Sequence, residues 1–122
     1  VEAGIVPVMA PLTHDGAGHI LNTNADTIAG ETAKALAQYY DVTLVYCFEK
    51  KGVLSNPDDD DSVIPVITRN DFRHYVEDGT VSGGMIPKIE NAFQAIDAGV
   101  KKVVITCASA IDGNNGTVIN NL

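Results

Sequence analysis

The 122 residues include 16 acidic and 8 basic side chains, giving a net charge of −8, and 45% of the residues are hydrophobic. This composition suits one globular domain and argues against a protein that binds a nucleic-acid backbone, which needs a basic surface. The apolar runs are too short to span a bilayer and no signal-peptide pattern is present, so we expect a cytoplasmic protein without a membrane partner. The first residue is valine, which we interpret as the sign of a piece of a longer protein.

The first half of the chain predicts a strand, a hairpin, a helix and a second strand. Residues 4–10 are apolar and rich in β-branched side chains, as in a buried strand. Asp15-Gly16 is a hairpin turn signal. Asn24 suits the N-cap of a helix over residues 25–40. The continuous apolar run of residues 42–48 is typical of the central strand of a covered sheet.

A polar loop and a capped helix follow. Residues 49–62 contain structure-breaking glycine and proline, and the four aspartates at 58–61 repel one another. We interpret this segment as a solvated loop rather than a metal site, because adjacent carboxylates diverge. Thr68 and Asp71 fit a capping box for the next helix, and Gly79 fits its end.

The remaining sequence predicts a third helix and two strands. Apolar residues recur every three or four positions through residues 83–99, as on one face of a helix that Gly99 ends. Residues 101–108 predict a buried strand, and residues 116–122 a strand at the edge of the sheet. Alternation of strands and helices favours an α/β fold, a three-layer α/β/α sandwich with a mainly parallel sheet. Ligands bind such sheets where strand ends meet helix N-termini.

The cysteines and histidines suggest no chemistry. Cys47 and Cys107 each lie in an apolar run, which predicts two buried, reduced thiols. His14 and His19 flank a glycine-rich turn at a spacing unsuited to a metal, and we expect both at the surface. We therefore predict no metal site built by the protein alone.

Lys88 stands at an unusual place, four residues after Gly84 and in the first turns of the third predicted helix. A cation there opposes the helix dipole by about 0.3–1 kcal/mol. Spacing alone places Lys88 opposite the apolar stripe, where a lysine is usually solvated. Gly83 and Gly84 allow close backbone approach, however, and a lysine leaning over free N–H groups makes an anion cradle, most often for phosphate.

Asn22, Asn24 and Asp26 form a second polar cluster where the hairpin meets the first helix. Helix capping explains most of it, although Asn22 exceeds what a cap requires. A carboxylate at such a junction would also be able to orient a nearby lysine. Neither G-x-x-x-x-G-K-[ST] nor a strand followed by G-x-G-x-x-G is present, so a bound nucleotide would use neither common phosphate loop.

The order of three segments resembles the acetylglutamate kinases, a family of the amino acid kinase superfamily. These segments are "NTNAD", an apolar strand running into "KKGVL", and "GGMIPKIENAFQAIDAGVKKVVI". The resemblance covers nearly the whole chain but only the C-terminal half of that family. It implies that residues 1–122 are one domain, the ATP-binding half of a kinase of arginine biosynthesis. The reaction implied is phosphorylation of the side-chain carboxylate of an N-acyl-L-glutamate, N-acetylglutamate by default, with Mg²⁺ brought by the nucleotide.

The same resemblance implies roles for individual residues. Lys88 would stabilise the transferring phosphoryl group, and Asp26 would orient it together with a second lysine outside this chain. Asn22 and Asn24 would bind the acyl-amino acid. The nucleotide pocket would be lined by Glu49, Lys50, Lys51, Gly52, Val53, Leu54, Thr80, Val81, Ser82, Gly83 and Gly84.

Two departures from the family pattern matter. Glu49 stands where the family usually has aspartate, and Lys50 and Lys51 add two cations. The family's N-terminal half, with its other catalytic lysine, is absent, so we expect weak nucleotide binding and no turnover from this chain alone. The partners implied are that missing domain, ATP and an N-acyl-glutamate, with a homo-oligomer left open. Alternatives are a non-catalytic nucleotide-binding or regulatory module and an aspartate or carbamate kinase.

Overall fold

The computed structural model describes residues 3–22, 24–111 and 116–120. Two strands, β1 and β2, form an antiparallel hairpin that precedes the main sheet. Four further strands and three α-helices follow, with a short 3-10 turn after β5. In chain order the elements are β1 Leu12–His14, β2 Ile20–Asn22, α1 Ala25–Leu36, β3 Thr43–Phe48, β4 Val66–Ile67, α2 Arg69–Glu77, α3 Met85–Asp97, β5 Lys102–Cys107 and β6 Thr117–Ile119.

The main sheet has four strands in the order β3-β5-β6-β4. β3 pairs with β5 in parallel, as β4 does with β6, and only the β5–β6 pairing is antiparallel. The predicted α/β sandwich with a mainly parallel sheet is thus confirmed. Two strand positions were wrong: β3 lies at an edge of this sheet rather than at its centre, and β6 is internal rather than an edge strand.

The three described helices pack on the sheet and against one another. α1 contacts β3, α3 contacts β5 and β6, and α2 contacts β4, while α3 also packs against both of the other helices. The core between helices and sheet contains fully buried aliphatic side chains from four elements: Ile67, Ile89, Val103, Ile105 and Ile119. Their burial supplies most of the driving force for packing the helices on the sheet.

The predicted caps and turns are confirmed. Asn24 accepts a hydrogen bond from the N–H of Asp26 at 2.8 Å, and Thr68 and Asp71 form the reciprocal capping box. Gly79 and Gly99, which follow α2 and α3, have φ values of +82° and +107°. Side chains other than glycine rarely adopt this left-handed conformation, so each glycine ends its helix as predicted.

The segment before the hairpin differs from prediction. Residues 4–10 form no strand, and Val8 is 94% exposed. An apolar run becomes a strand only where another strand pairs with it, and none among the described residues does so here. The hairpin itself is confirmed, since the Asp15 carboxylate accepts from the N–H groups of Ala17 and His19 at 2.8 and 3.2 Å.

The prediction of two buried thiols was also wrong. Both cysteines are free, but Cys47 is exposed and Cys107 is only partly buried. Cys47 alternates with Tyr46 and Phe48 along β3, and those two side chains face the helices. Cys47 therefore points to the other face of an edge strand. Among the described helices, none is both long and apolar enough to cross a membrane.

Candidate active site

Lys88 and Asp26 meet where the N-terminal ends of α3 and α1 come together. The Lys88 ammonium donates a hydrogen bond to the Asp26 carboxylate at 2.7 Å, although 62 residues separate them in sequence. The Lys88 side chain is only 13% exposed and that of Asp26 32%. Lys88 therefore does not extend into solvent, as its helical position alone would suggest.

Two aromatic rings of β3 lie beside the same ammonium. The Lys88 nitrogen is 5.0 Å from the ring centre of Tyr46 and 5.9 Å from that of Phe48. Both distances are within the range in which the negative face of a ring attracts a cation. Tyr46 and Phe48 are two residues apart on one strand, so their side chains share a face of the sheet.

Tyr46 also connects β3 to the start of α1. Its hydroxyl donates to the backbone carbonyl of Asp26 at 3.2 Å. Burial, and secondly the negative charge of Asp26, raise the pKa of Tyr46 to about 12. The phenol therefore remains neutral and keeps its donor proton throughout the physiological range.

The raised pKa of Tyr46 predicts a loss of stability at high pH. An unfolded tyrosine releases its proton near pH 10, whereas folded Tyr46 keeps it until about pH 12. The contribution of the Tyr46 phenol to the free energy of unfolding is complete below pH 10 and is lost as the pH rises through 12. Relative to a Tyr46→Phe variant, the chain should lose on the order of 2 kcal/mol of unfolding free energy between pH 9 and 12, measured by urea unfolding.

Exposed Tyr39 provides the matched control for this measurement. A Tyr39→Phe variant makes the same chemical change at a side chain that is 78% exposed, and should keep the pH dependence of the parent chain. Equal pH profiles for the parent chain and Tyr46→Phe would show that the buried phenol titrates normally.

The start of α3 presents positive electrostatic potential to the same region. Its first turn contains no acidic residue, and its N-cap, Gly84, provides no side-chain hydrogen bond. Gly83 has a φ of +58° and both glycines are exposed. The N–H groups of Met85 and Ile86 bond back to the carbonyls of Ser82 and Gly83 at 3.3 and 3.2 Å, so the predicted cradle is partly closed by its own turn.

A cleft of about 220 Å³ lies next to the start of α3. Two residues connect the cleft with the Lys88 region. Phe48 lines the cleft and lies beside the Lys88 ammonium, and Met85 lines the cleft and is the first residue of α3. The cleft therefore shares the Phe48 side chain with the surroundings of the Lys88 ammonium. Its lining consists of Phe48, Glu49, Lys50, Gly52, Val53, Leu54, Pro57, Thr80, Ser82 and Met85.

Thr117 of β6 fixes Val53, one of the residues that line the cleft. Its hydroxyl accepts from the N–H of Val53 at 2.9 Å and donates to the carbonyl of Ile64 at 2.7 Å. A Cβ on Gly52 would lie 2.8 Å from the same hydroxyl. The Val63 side chain would lie 2.9 Å and the Thr117 backbone nitrogen 3.1 Å from the same Cβ, so any side chain at position 52 would force these groups to move.

Comparison with known proteins assigns the chain to a family. The model of the amino acid kinase family matches residues 1–107. The chain belongs to the amino acid kinase family. Among curated members, it is 71% identical over 119 residues to the acetylglutamate kinase of Phocaeicola vulgatus, covering 98% of this chain and 46% of that enzyme. The chain thus spans about half the length of the curated relatives it matches.

Solved structures show the amino acid kinase fold. The structure of smu.665 from Streptococcus mutans UA159 has a TM-score of 0.76 at 35% identity, covering 98% of this chain and 44% of that one. Carbamate kinase from Giardia lamblia bound to AMP-PNP has a TM-score of 0.61 at 22% identity, covering 87% of this chain and 40% of that one. The second likeness concerns the fold alone.

Eleven residues of this amino acid kinase were predicted to line a nucleotide pocket. Seven of them line the cleft: Glu49, Lys50, Gly52, Val53, Leu54, Thr80 and Ser82. The other four lie outside its lining. Lys51 is exposed, Val81 is buried in the core, and Gly83 and Gly84 lie at the open start of α3.

The positions of the two asparagines predicted to bind substrate do not test that role. Asn24 is exposed and uses its amide oxygen for the helix cap. Asn22 ends β2 opposite Leu12, and its side chain lies outside the described part of the structure. Geometry therefore supports Asn24 as a cap.

Sequence reasoning missed several residues of this region. Tyr46 and Phe48 were interpreted only as parts of a core strand. The available signal was two aromatic residues at alternate positions near the end of that strand, where their side chains share one face. Met85 was noted only as part of the family-like segment that begins at Gly83. Thr117 gave no signal, because its bonds join segments more than 50 residues apart.

The carboxylates do not gather into a metal site in the described ranges, where no group of three or more His, Cys, Asp and Glu side chains has a suitable arrangement. The run at residues 58–61 is exposed, as predicted. Asp60 lies 3.7 Å from the Lys50 ammonium, a surface pair of small energetic value.

Proposed function

We propose that this chain is the ATP-binding domain, residues 1–122, of a kinase that phosphorylates the side-chain carboxylate of an N-acyl-L-glutamate. N-acetylglutamate is the default acceptor, and the acyl phosphate product belongs to arginine biosynthesis in the cytoplasm. The observation that carries the proposal is the largely buried Lys88–Asp26 pair between two helix N-termini, beside a cleft. The 71% identity to an acetylglutamate kinase supports the choice of acceptor over carbamate or aspartate.

Phosphoryl transfer requires mainly positioning and positive charge near the oxygens that gain negative charge. In the proposed mechanism the Lys88 ammonium supplies that charge, and the positive end of α3 adds to it. Asp26 accepts one of the three ammonium N–H groups and fixes its position. The remaining N–H groups would then be available to phosphate oxygens.

The cleft is proposed to hold the nucleotide. Its volume of about 220 Å³ is small for a whole nucleotide, and suits a base with its phosphates extending past Phe48 toward Lys88. Apolar Leu54 and Met85 would contact the base, and Lys50, Thr80 and Ser82 would provide polar groups. Lys51, Val81, Gly83 and Gly84 would contribute from outside the present cleft. Asn22 and Asn24 are proposed to contact the acyl-amino acid together with the rest of the polypeptide.

Mg²⁺ is the usual companion of ATP, but the described residues do not form a carboxylate site for it. The ion would accordingly be held by the phosphates, where it would neutralise charge during transfer. The steps assigned to Lys88 and Asp26 do not depend on it. An N-terminal domain of the same protein would supply the second lysine and most of the acceptor pocket.

The test uses a chimera in which this chain replaces the matched segment of the Phocaeicola vulgatus enzyme. It should release ADP from ATP only when N-acetylglutamate is present, and hydroxylamine should trap the acyl phosphate as a hydroxamate. This chain by itself should bind ATP weakly and show no turnover. A folded chimera that is inactive with N-acetylglutamate would contradict the proposal; the unaltered Phocaeicola vulgatus enzyme is the control.

A further inference from the structure

We infer that Tyr46 and Phe48 are positioning residues that hold the Lys88 ammonium for phosphoryl transfer through the faces of their rings. The inference rests on the proposed catalytic function of Lys88. Tyr46 and Phe48, both on β3, thereby join Lys88 and Asp26 in the candidate active site on the basis of the geometry of this chain.

The two rings compensate for the water that the Lys88 ammonium has lost. The Lys88 side chain is mostly removed from water, and among the described residues its ammonium donates one hydrogen bond, to Asp26. A buried cation needs more compensation than one carboxylate that is itself one-third exposed. The rings of Tyr46 and Phe48, at 5.0 and 5.9 Å, supply it.

The rings also hold the Lys88 ammonium without occupying its N–H groups. A second carboxylate would take another N–H group and bind the ammonium in competition with phosphate. A ring face attracts the charge as a whole, and therefore limits where the ammonium can lie while leaving N–H groups for the phosphoryl oxygens. Held in this way, Lys88 stays near the start of α3 before the nucleotide binds.

Tyr46 is itself held in place by its burial and by a hydrogen bond. Its side chain is 3% exposed, and its hydroxyl bonds to the carbonyl of Asp26, whose carboxylate holds Lys88. Through Tyr46, strand β3 thus helps to fix the positions of both Asp26 and Lys88. Phe48 continues the arrangement to the cleft that is proposed to bind the nucleotide.

The experiment separates this function from simple packing, which depends on ring shape rather than on ring electrons. In the chimera, position 46 carries phenylalanine, 4-fluorophenylalanine or 3,4,5-trifluorophenylalanine, and position 48 carries the same series. Fluorine withdraws electrons from the ring face with little change of volume. We expect kcat to fall in steps along each series, by roughly tenfold in total at position 46, with KM for ATP changed less than about twofold.

The same series at Tyr75, a partly buried aromatic residue of α2, is the matched control and should leave kcat unchanged. The 4-fluoro variant keeps the test decisive if the trifluoro variants fold poorly. A flat kcat across both series, in variants that unfold at the parent's urea midpoint, would overturn the inference. Parent-like turnover of Lys88→Ala would instead refute the proposed function, so the two failures are distinguishable.

Discussion

Replacing Lys88 with alanine should lower kcat of the chimera by about 10³-fold, because a preorganised positive group is removed from the oxygens that gain charge. The fold should survive, since Lys88 lies at the edge of the core and Ile89 and Ala92 on the same helix remain buried. The measurement is steady-state ADP release at saturating ATP and N-acetylglutamate. KM for ATP should change much less than kcat, as expected for an interaction made mainly in the transition state.

Lys34 gives a matched control for this substitution. It is also a helix lysine paired with an acid, Glu31 at 3.0 Å, but it lies in the last turn of α1. Lys34→Ala should change kcat less than about twofold, since the pair is on the surface. Near-parent turnover of Lys88→Ala would mean that the buried ion pair is structural only.

The Asp26→Asn substitution should lower kcat by about 10²-fold while α1 keeps its start. The amide has the size of the carboxylate but no charge, so the Lys88 ammonium loses its counter-ion and its fixed position. Asn24 and Tyr46 bond to the backbone N–H and carbonyl of residue 26, and neither contact needs the carboxylate. Turnover and urea unfolding of the same preparation test the two statements together.

Asp41→Asn is the control for charge alone. Asp41 is 88% exposed and 3.8 Å from the Lys101 ammonium, so the substitution removes one negative charge far from the site. We expect parent-like kcat. If Asp26→Asn also turned over normally, Asp26 would have only the stabilising effect of an acid at a helix N-terminus, about 0.3–1 kcal/mol.

Local features of this chain were predictable from sequence because they depend on neighbouring residues. The Asn24 cap, the Thr68–Asp71 box and the glycines that end α2 and α3 all formed as expected. Each depends on contacts within about four residues, for which the sequence contains both partners.

Features that depend on distant segments were predicted less well. The apolar run at residues 4–10 resembles a strand, but strand formation requires a partner that composition does not reveal. β3 has the continuous hydrophobicity of a central strand and yet lies at an edge. Sheet order is a long-range property, and Cys47 is exposed for the same reason.

The candidate site shows both kinds of result. Helical spacing placed Lys88 opposite the apolar stripe, which usually means solvent. In the structure α1 packs against α3, whose Ala92 and Ala95 are fully buried, so that a second helix covers part of this side. The residues alone suggested that an acid at the α1 junction would orient a lysine, and the family resemblance identified that lysine as Lys88. The supporting rings of Tyr46 and Phe48 were not foreseen, because a strand pattern does not show what packs over its end.

The most direct test of the account is kcat of the chimera carrying both Lys88→Ala and Asp26→Asn. If Asp26 acts largely through Lys88, Asp26→Asn should lower kcat only slightly in a chimera that already carries Lys88→Ala. The kcat of the double variant should then be at least about tenfold higher than the kcat expected from multiplying the two single losses. A double variant that shows the full product, about 10⁵-fold below the parent, would mean that the two residues act independently and that their ion pair does not organise the site.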